Sequence, residues 1–296
     1  MVPNPTPAGR LAVALAASPE PGAALPSQGL REDGVRALLG VAADYKIPMV
    51  ATRPDGDVER TLGQAWPFPS PFKVSVRTVS VADGPERVEA RARRSLERMG
   101  LPRGDVLLVS NAADLCGAEG RALWDRMLSL KDRGLFRRIG FLARMEDGPG
   151  LIARRFQPDV VQIPCNLLDQ RAARDGVLDD LASQDIEIHL SSVFAQGLLF
   201  ASRESLPAHL SHCGMALSRA RRRLAEARLD PKQAALAFAL GRQEVSTVVV
   251  GVASAAELRA VIAAAHAPTA DIDWSLMALE EPAALTAGPS RISTAA

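Results

Sequence analysis

The sequence predicts an α/β fold, a closed (β/α)8 TIM barrel, and three observations carry that reading. Short apolar runs rich in β-branched residues alternate with longer amphipathic stretches along the whole chain. Most of these runs are continuous rather than alternating, as strands buried on both faces of a parallel sheet should be. The chain has 296 residues, enough for one barrel with its helices. An open doubly wound sheet shares the alternation, but eight repeats favour closure.

In order, strands are expected at Leu11–Ala16, Pro48–Thr52, Lys73–Val79, Val106–Val109, Arg138–Phe141, Val160–Ile163, Ile186–Leu190 and Thr247–Val250. The helical segments between and after them are Glu32–Asp44, Val58–Ala65, Pro85–Met99, Glu119–Asp132, Gly148–Arg155 and Ala172–Ser183. Ala216–Ala227 with Pro231–Leu240, and then Ala255–Ala265, complete the set. Their spacing carries the assignment: Val88, Ala92, Leu96 and Met99 share one face, with arginines and glutamates opposite. No linker or shift in composition divides the chain, so residues 1–281 are expected to form a single barrel domain. The Pro/Gly/Ser-rich stretch Ser18–Gly29 and the tail 282–296 are expected to hold little fixed structure.

Charge and composition exclude several function classes. There are 35 basic and 34 acidic residues, a net charge of +1, so no global footprint for nucleic acid or an anionic membrane exists. No apolar run approaches the roughly 18 residues that span a bilayer, and Met1–Arg10 has no signal-like apolar core. A soluble, cytoplasmic protein without membrane insertion is expected. Cys116, Cys165 and Cys213 are an odd, scattered set that fits reduced thiols better than a disulfide framework or a zinc site. The cluster Arg219, Arg221, Arg222 and Arg223 reads as a solvated helix face, with an acidic partner as the alternative.

Several segments resemble the aldo-keto reductases: LGQAW after the second strand, RRSLERMGL and LLVSNAADL around the fourth, and LWDRMLSLKDRGLFRRIGF into the fifth. PDVVQIPCNLLDQR at the sixth strand, SSVFAQGLL at the seventh and VVVGVASAAEL at the eighth continue in the family's order, from about residue 35 to 265. The resemblance implies carbonyl reduction with NAD(P)H by an Asp, Tyr, Lys and His tetrad. Its tyrosine protonates the carbonyl oxygen, its lysine, paired with the aspartate, lowers the tyrosine's pKa, and its histidine orients substrate.

At the matching positions stand Ala51 for the aspartate, Asp55–Gly56 for the tyrosine, Arg77 for the lysine and Ser110 for the histidine. The chain holds one tyrosine, Tyr45, which precedes the second strand, whereas barrel active sites form at strand C-termini. No catalytic residue is therefore expected. Arg53, Asp55 and Arg77 should crowd the mouth, as a structural ion pair or as a new charged site.

The cofactor site is carried over by resemblance. Gln162 matches the glutamine that holds the nicotinamide amide, and Ser192, Phe194, Gln196 and Gly197 match the loop along the pyrophosphate. Gly251, Ala253 and Ser254 open a helix whose N-terminus suits a phosphate. Glu257 stands where NADP-preferring relatives put arginine. It would accept the ribose hydroxyl and repel a 2′-phosphate, so NAD is the implied cofactor. Leu142 and Ala143 replace a Ser-Asn pair, Ser191 an aromatic, and Val261 an asparagine that often meets the adenine. The alternative is a set of inherited loops that bind nothing.

His189 is expected to be buried and satisfied, and His209 and His212 near Cys213 to be solvent-exposed rather than metal ligands. No metal is expected. A reductase barrel without its tetrad is similar to aldo-keto-reductase-related regulators of alphaproteobacterial cell division. That likeness implies a catalytically inactive NAD(H) sensor acting on the tubulin-like division protein FtsZ and on the sensor histidine kinase DivJ. No motif identifies either partner. Ala295–Ala296 resembles the terminal pair that delivers bacterial proteins to the ClpXP protease, or is a meaningless end. The alternative is an NAD(H)-dependent oxidoreductase with a rebuilt site that uses Arg77, Asp55 or Ser110 on a sugar or other carbonyl substrate.

Overall fold

The computed structural model describes residues 6–15, 31–54, 56–201, 206, 208–268, 272–282 and 285. Asp55, Ser18–Gly29, Ala295–Ala296 and most of the tail 282–296 lie outside the described residues.

Eight parallel strands close into a barrel: β1 (Leu11–Leu15), β2 (Met49–Ala51), β3 (Lys73–Arg77), β4 (Gly104–Val109), β5 (Phe136–Leu142), β6 (Val160–Pro164), β7 (Glu187–Ser191) and β8 (Val245–Val252). Each pairs with its sequence neighbour, and β1 also pairs with β8, Ala14 opposite Gly251. All eight expected strands are present. Their ends shift by a few residues, β3 stopping at Arg77 rather than Val79 and β8 reaching Val252.

The helices α1 (Glu32–Asp44), α2 (Gly56–Ala65), α3 (Pro85–Met99), α4 (Ala113–Cys116), α5 (Gly120–Asp132) and α6 (Pro149–Phe156) wrap the first half. They are followed by α7 (Arg171–Arg174), α8 (Val177–Ser183), α9 (Gly214–Glu226), α10 (Pro231–Leu240) and α11 (Ala255–His266). One helical expectation is corrected and one short helix is added. Residues Ala172–Ser183 are not one helix, because Gly176 takes a left-handed φ of 73° that breaks the ladder between α7 and α8. The short α4 had no periodic signal to announce it.

Alternation along each strand sorts the core into two shells. Ala12, Met49, Ala51, Val106, Leu108, Val160 and Val249 meet inside the barrel, with Ala14 and Leu142 against them. Outward residues such as Val13, Leu107, Phe141, Ile163 and Leu190 pack under the helices. Inside, Gly140 is required by close approach: a Cβ there would stand 1.8 Å from the Val160 carbonyl oxygen.

The LGQAW segment holds α2 against α3. A Cβ on Gly63 would lie 2.4 Å from the Arg98 carbonyl oxygen, and Trp66 Nε1 donates to the Met99 carbonyl at 2.8 Å. Between the same helices the fully buried Glu59 carboxylate meets Arg91 at 2.7 Å and Arg98 at 3.6 Å. A buried carboxylate stripped of its nearer cation keeps its desolvation penalty. Arg91→Met should therefore lower unfolding free energy by about 3 kcal/mol, read from the urea midpoint at constant slope. Adding Glu59→Met should recover part of that loss.

Candidate cofactor site

The mouth is formed where the strands end, and the small residues there leave space. Ala51 closes β2, Arg77 closes β3, Ser110 follows β4, Gln162 lies in β6, Ser191 closes β7, and Gly251 lies in β8. A cavity of about 180 Å³ opens between β1, β2, β3 and β8; among the described residues, Arg53 and Arg77 are its charged lining residues. Arg77 has no hydrogen bond or ion pair among the described residues, and its guanidinium is pushed down to about 10, mainly by burial and further by Arg53. The ion pair expected here needs Asp55, which lies outside the described residues; Arg53 and Arg77 bring two like charges to the mouth. The Ser110 hydroxyl is engaged, donating to the Thr78 carbonyl oxygen, while Thr78 Oγ1 accepts from the Ser110 amide at 3.2 Å.

Tyr45 caps the C-terminal end of α1 and is 48% exposed. It stands ahead of β2, at the opposite end of the barrel from the mouth.

Gln162 and His189 are polar neighbours inside the barrel wall. They are in register on β6 and β7, and both are buried. His189 Nε2 lies 3.2 Å from Glu187 Oε1; with that carboxylate as acceptor the ring proton belongs on Nε2, which leaves Nδ1 an acceptor. Arg138 in turn bridges Asp105 and Glu187. Burial, helped by Arg138, drives His189 down to about 3, so the ring is neutral. The expectation of a satisfied histidine holds for one nitrogen only: Nδ1 has no partner, and neither has Gln162 Nε2. A donor and an acceptor without partners, on adjacent strands, fit a guest carboxamide, which brings one of each.

The loop after β7 has an unusual backbone. Ser192, Ala195 and Gln196 have φ of 58°, 48° and 56°, and Gly197 follows at 87°. Three non-glycine residues in the left-handed region within five positions cost energy that surrounding contacts must offset. Arg221 of α9 supplies some of them, its guanidinium donating to the carbonyls of Leu198, Leu199 and Ala201. The reading of Arg221 as part of a solvated face is corrected on this point: a loop whose carbonyls turn outward from any ladder needs a multi-donor cation. Arg223 likewise donates to the Leu276 carbonyl, while Arg219 and Arg222 are exposed. Phe194 packs on Phe200, ring centroids 5.6 Å apart, and Gln196 Nε2 reaches the Leu285 carbonyl at 3.4 Å.

After β8, Ser254 caps α11 by accepting from the Glu257 amide at 3.1 Å, and Glu257 Oε2 accepts from the Ala253 amide at 2.7 Å. These two amides are therefore taken, and a phosphate at this turn would meet those of Ala255 and Ala256, which have no backbone acceptor among the described residues. Gly251 borders the cavity instead.

Some residues of the family-like segments proved structural. Asn166 Oδ1 accepts from the amides of Leu168 and Asp169, and the Asp169 carboxylate holds Arg171 at 2.7 Å and 2.8 Å, which fixes the turn after β6. The sign was present in the sequence as an Asn and an Asp flanking two leucines, a turn signal. Cys165 beside them is buried, its thiol pushed up to about 12 by desolvation. His212 is exposed with its Nε2 3.3 Å from the Cys213 sulfur, and the described residues hold no metal-binding group of three such side chains.

With this geometry in place, comparison gives a consistent picture. A family model described as "Aldo/keto reductase family" matches residues 45–278. Among solved structures the chain is similar to the holo form of the aldo-keto reductase AKR11C1 from Bacillus halodurans. The TM-score is 0.71 at 18% identity, over 90% of this chain and 90% of that one. It is also similar to a Pseudomonas aeruginosa protein named for the same family, with TM-score 0.62 and 20% identity, covering 86% of this chain and 89% of that one. At such identities the likeness shows the fold alone. Among curated proteins none matches.

The neutral His189 has a consequence in solution. The folded protein refuses a proton that the unfolded chain takes up below about pH 6.5, so this contribution to stability is complete above that pH and fades as pH falls toward 3. From pH 7 to pH 5 the loss from this group should be about 2 kcal/mol. Urea melts at both pH values should show it in the wild type and a smaller difference in His189→Gln. Equal differences would show that His189 titrates alike in both states.

Proposed function

The chain belongs to the aldo/keto reductase family, and on that premise we propose that it binds NAD(H) at the barrel mouth and regulates partner proteins without reducing a carbonyl. Members of that family are usually oxidoreductases using NAD(P)(H). The single observation that carries the proposal is the pairing of Gln162 and His189: a vacant donor and acceptor suited to a nicotinamide carboxamide. Among the described residues, the proton donor that the chemistry requires has no counterpart beside them. The lone tyrosine is at the other end, the Ser110 hydroxyl is committed to Thr78, and Ala51 offers no carboxylate.

In this reading Gln162 orients the nicotinamide amide, while the loop of Ser192, Phe194, Gln196 and Gly197 lies along the pyrophosphate. Ala253 and Ser254 frame the phosphate turn. Glu257 keeps one oxygen on Ala253 and turns the other toward the ribose hydroxyl, which disfavours a 2′-phosphate. The bound dinucleotide would supply a hydride donor; this chain's own residues supply its grip and no acid.

A barrel of this kind is similar to KidO, the NAD(H)-binding cell-cycle regulator of alphaproteobacteria. The proposal therefore extends to a cytoplasmic role in which NAD(H) orders the β7 loop and the ordered surface engages FtsZ or the kinase DivJ. By linkage the partner would tighten cofactor binding by the same factor.

One observation favours a second reading, a reductase with a rebuilt site. Arg77 occupies the mouth as a cation without a partner among the described residues, a charge that could polarise a bound carbonyl oxygen.

NADH titration separates the readings. The fluorescence change should saturate, Gln162→Leu should weaken binding by about tenfold, and aldehydes, ketones and sugars should elicit no oxidation above the buffer rate. Sustained oxidation lost in Arg77→Met would instead establish the rebuilt enzyme, and no fluorescence change would leave a cofactor-free scaffold.

A further inference from the structure

The cavity at the mouth has a composition that the nicotinamide reading does not use. Its walls include the apolar Ala14, Leu15, Ala51 and Val58. The Thr52 hydroxyl also lines it but is spent on the Arg53 carbonyl at 3.1 Å, and the Thr52 amide on the Ser75 carbonyl at 2.8 Å. What remains for a ligand is the guanidinium of Arg77, without a partner among the described residues, and that of Arg53 at the exposed rim.

We propose that this cavity binds the carboxylate of a small organic acid, held by Arg77 with Arg53 and with its hydrocarbon end against Ala14, Leu15 and Val58. Two like charges without a counter-ion among the described residues repel each other in a half-buried mouth, and an anion between them removes both the repulsion and the unmet donors. Guanidinium forks match a planar carboxylate edge to edge. A guanidinium fork also fits a phosphate, but a phosphate would leave the apolar walls unused. The volume of about 180 Å³ suits an acid of a few carbons. The burial that lowers Arg77 in the empty protein would be opposed by the bound anion.

The inference goes beyond the regulatory reading, and it is tested without nucleotide, so that either can fail alone. Melting temperature is followed against sodium propionate and sodium pyruvate, with sodium chloride at equal ionic strength and inorganic phosphate as the other arms. The expected result is a saturable rise with at least one of the acids and none with chloride. Arg77→Met should weaken binding by at least about tenfold and should leave the ligand-free protein as stable or more so, since an unpaired half-buried cation becomes an apolar chain of similar length. Arg53→Met, at the exposed rim, should weaken binding without altering the ligand-free melt.

Four outcomes would overturn the assignment. One is the lack of a saturable shift with either acid, and another is tighter binding of phosphate. The third is undiminished binding in Arg77→Met. The last is a lower ligand-free melting temperature in that variant, which would mean that the guanidinium is already neutralised internally, with Asp55 as the nearest carboxylate in sequence.

Discussion

The closed ring of parallel backbone hydrogen bonds is the constraint on which everything else in this protein rests. Once β1 is paired to both β2 and β8, alternation decides which side chains meet inside the barrel and which lie beneath the helices. The register that sets Gln162 beside His189 and Ala14 beside Gly251 also brings Arg77 to the mouth at the end of β3. A slip of one residue in any strand would turn its site residue outward and bury the wrong face. The chemistry of the mouth follows from ring closure before any individual contact is considered.

Within that ring the polar groups are distributed unevenly. Below, Arg138 bridges Asp105 and Glu187, and Glu187 holds one nitrogen of His189. Above, Gln162 and the other nitrogen of His189 lack partners, as does Arg77 among the described residues. Buried polar atoms are seldom left unmatched, and here Arg138 Nε is a further one, so the unmatched groups run through the barrel interior. In the loop next to them, Ser192, Ala195, Gln196 and Gly197 take left-handed φ, and Arg221 holds the carbonyls that follow.

The sequence made the fold legible because a parallel barrel writes itself in continuous apolar runs. All eight strands followed from that signal, and α1, α3 and α10 match to the residue. The break at Gly176 escaped it because helical periodicity continues across a single left-handed glycine. The site was legible where a residue type forces its chemistry. A chain with one tyrosine ahead of the second strand cannot present a phenol at the strand C-termini, whatever the alignment. What could not be read was pairing. Arg221 looked solvated in a run of arginines and instead holds three carbonyls, and Glu257 is engaged by its own helix cap. Such partners are set by loops that approach only in three dimensions.

The account turns on whether hydride leaves the dinucleotide at this mouth. The most direct measurement uses NADH deuterated at either face of C4, incubated with protein at substrate-level concentration and a panel of aldehydes, ketones and sugars, followed by mass spectrometry of the alcohols. A barrel that grips the cofactor but lacks a proton donor transfers no label above the protein-free control. Deuterium in any product, carried by the wild-type chain, would contradict the account and return the protein to reductive chemistry.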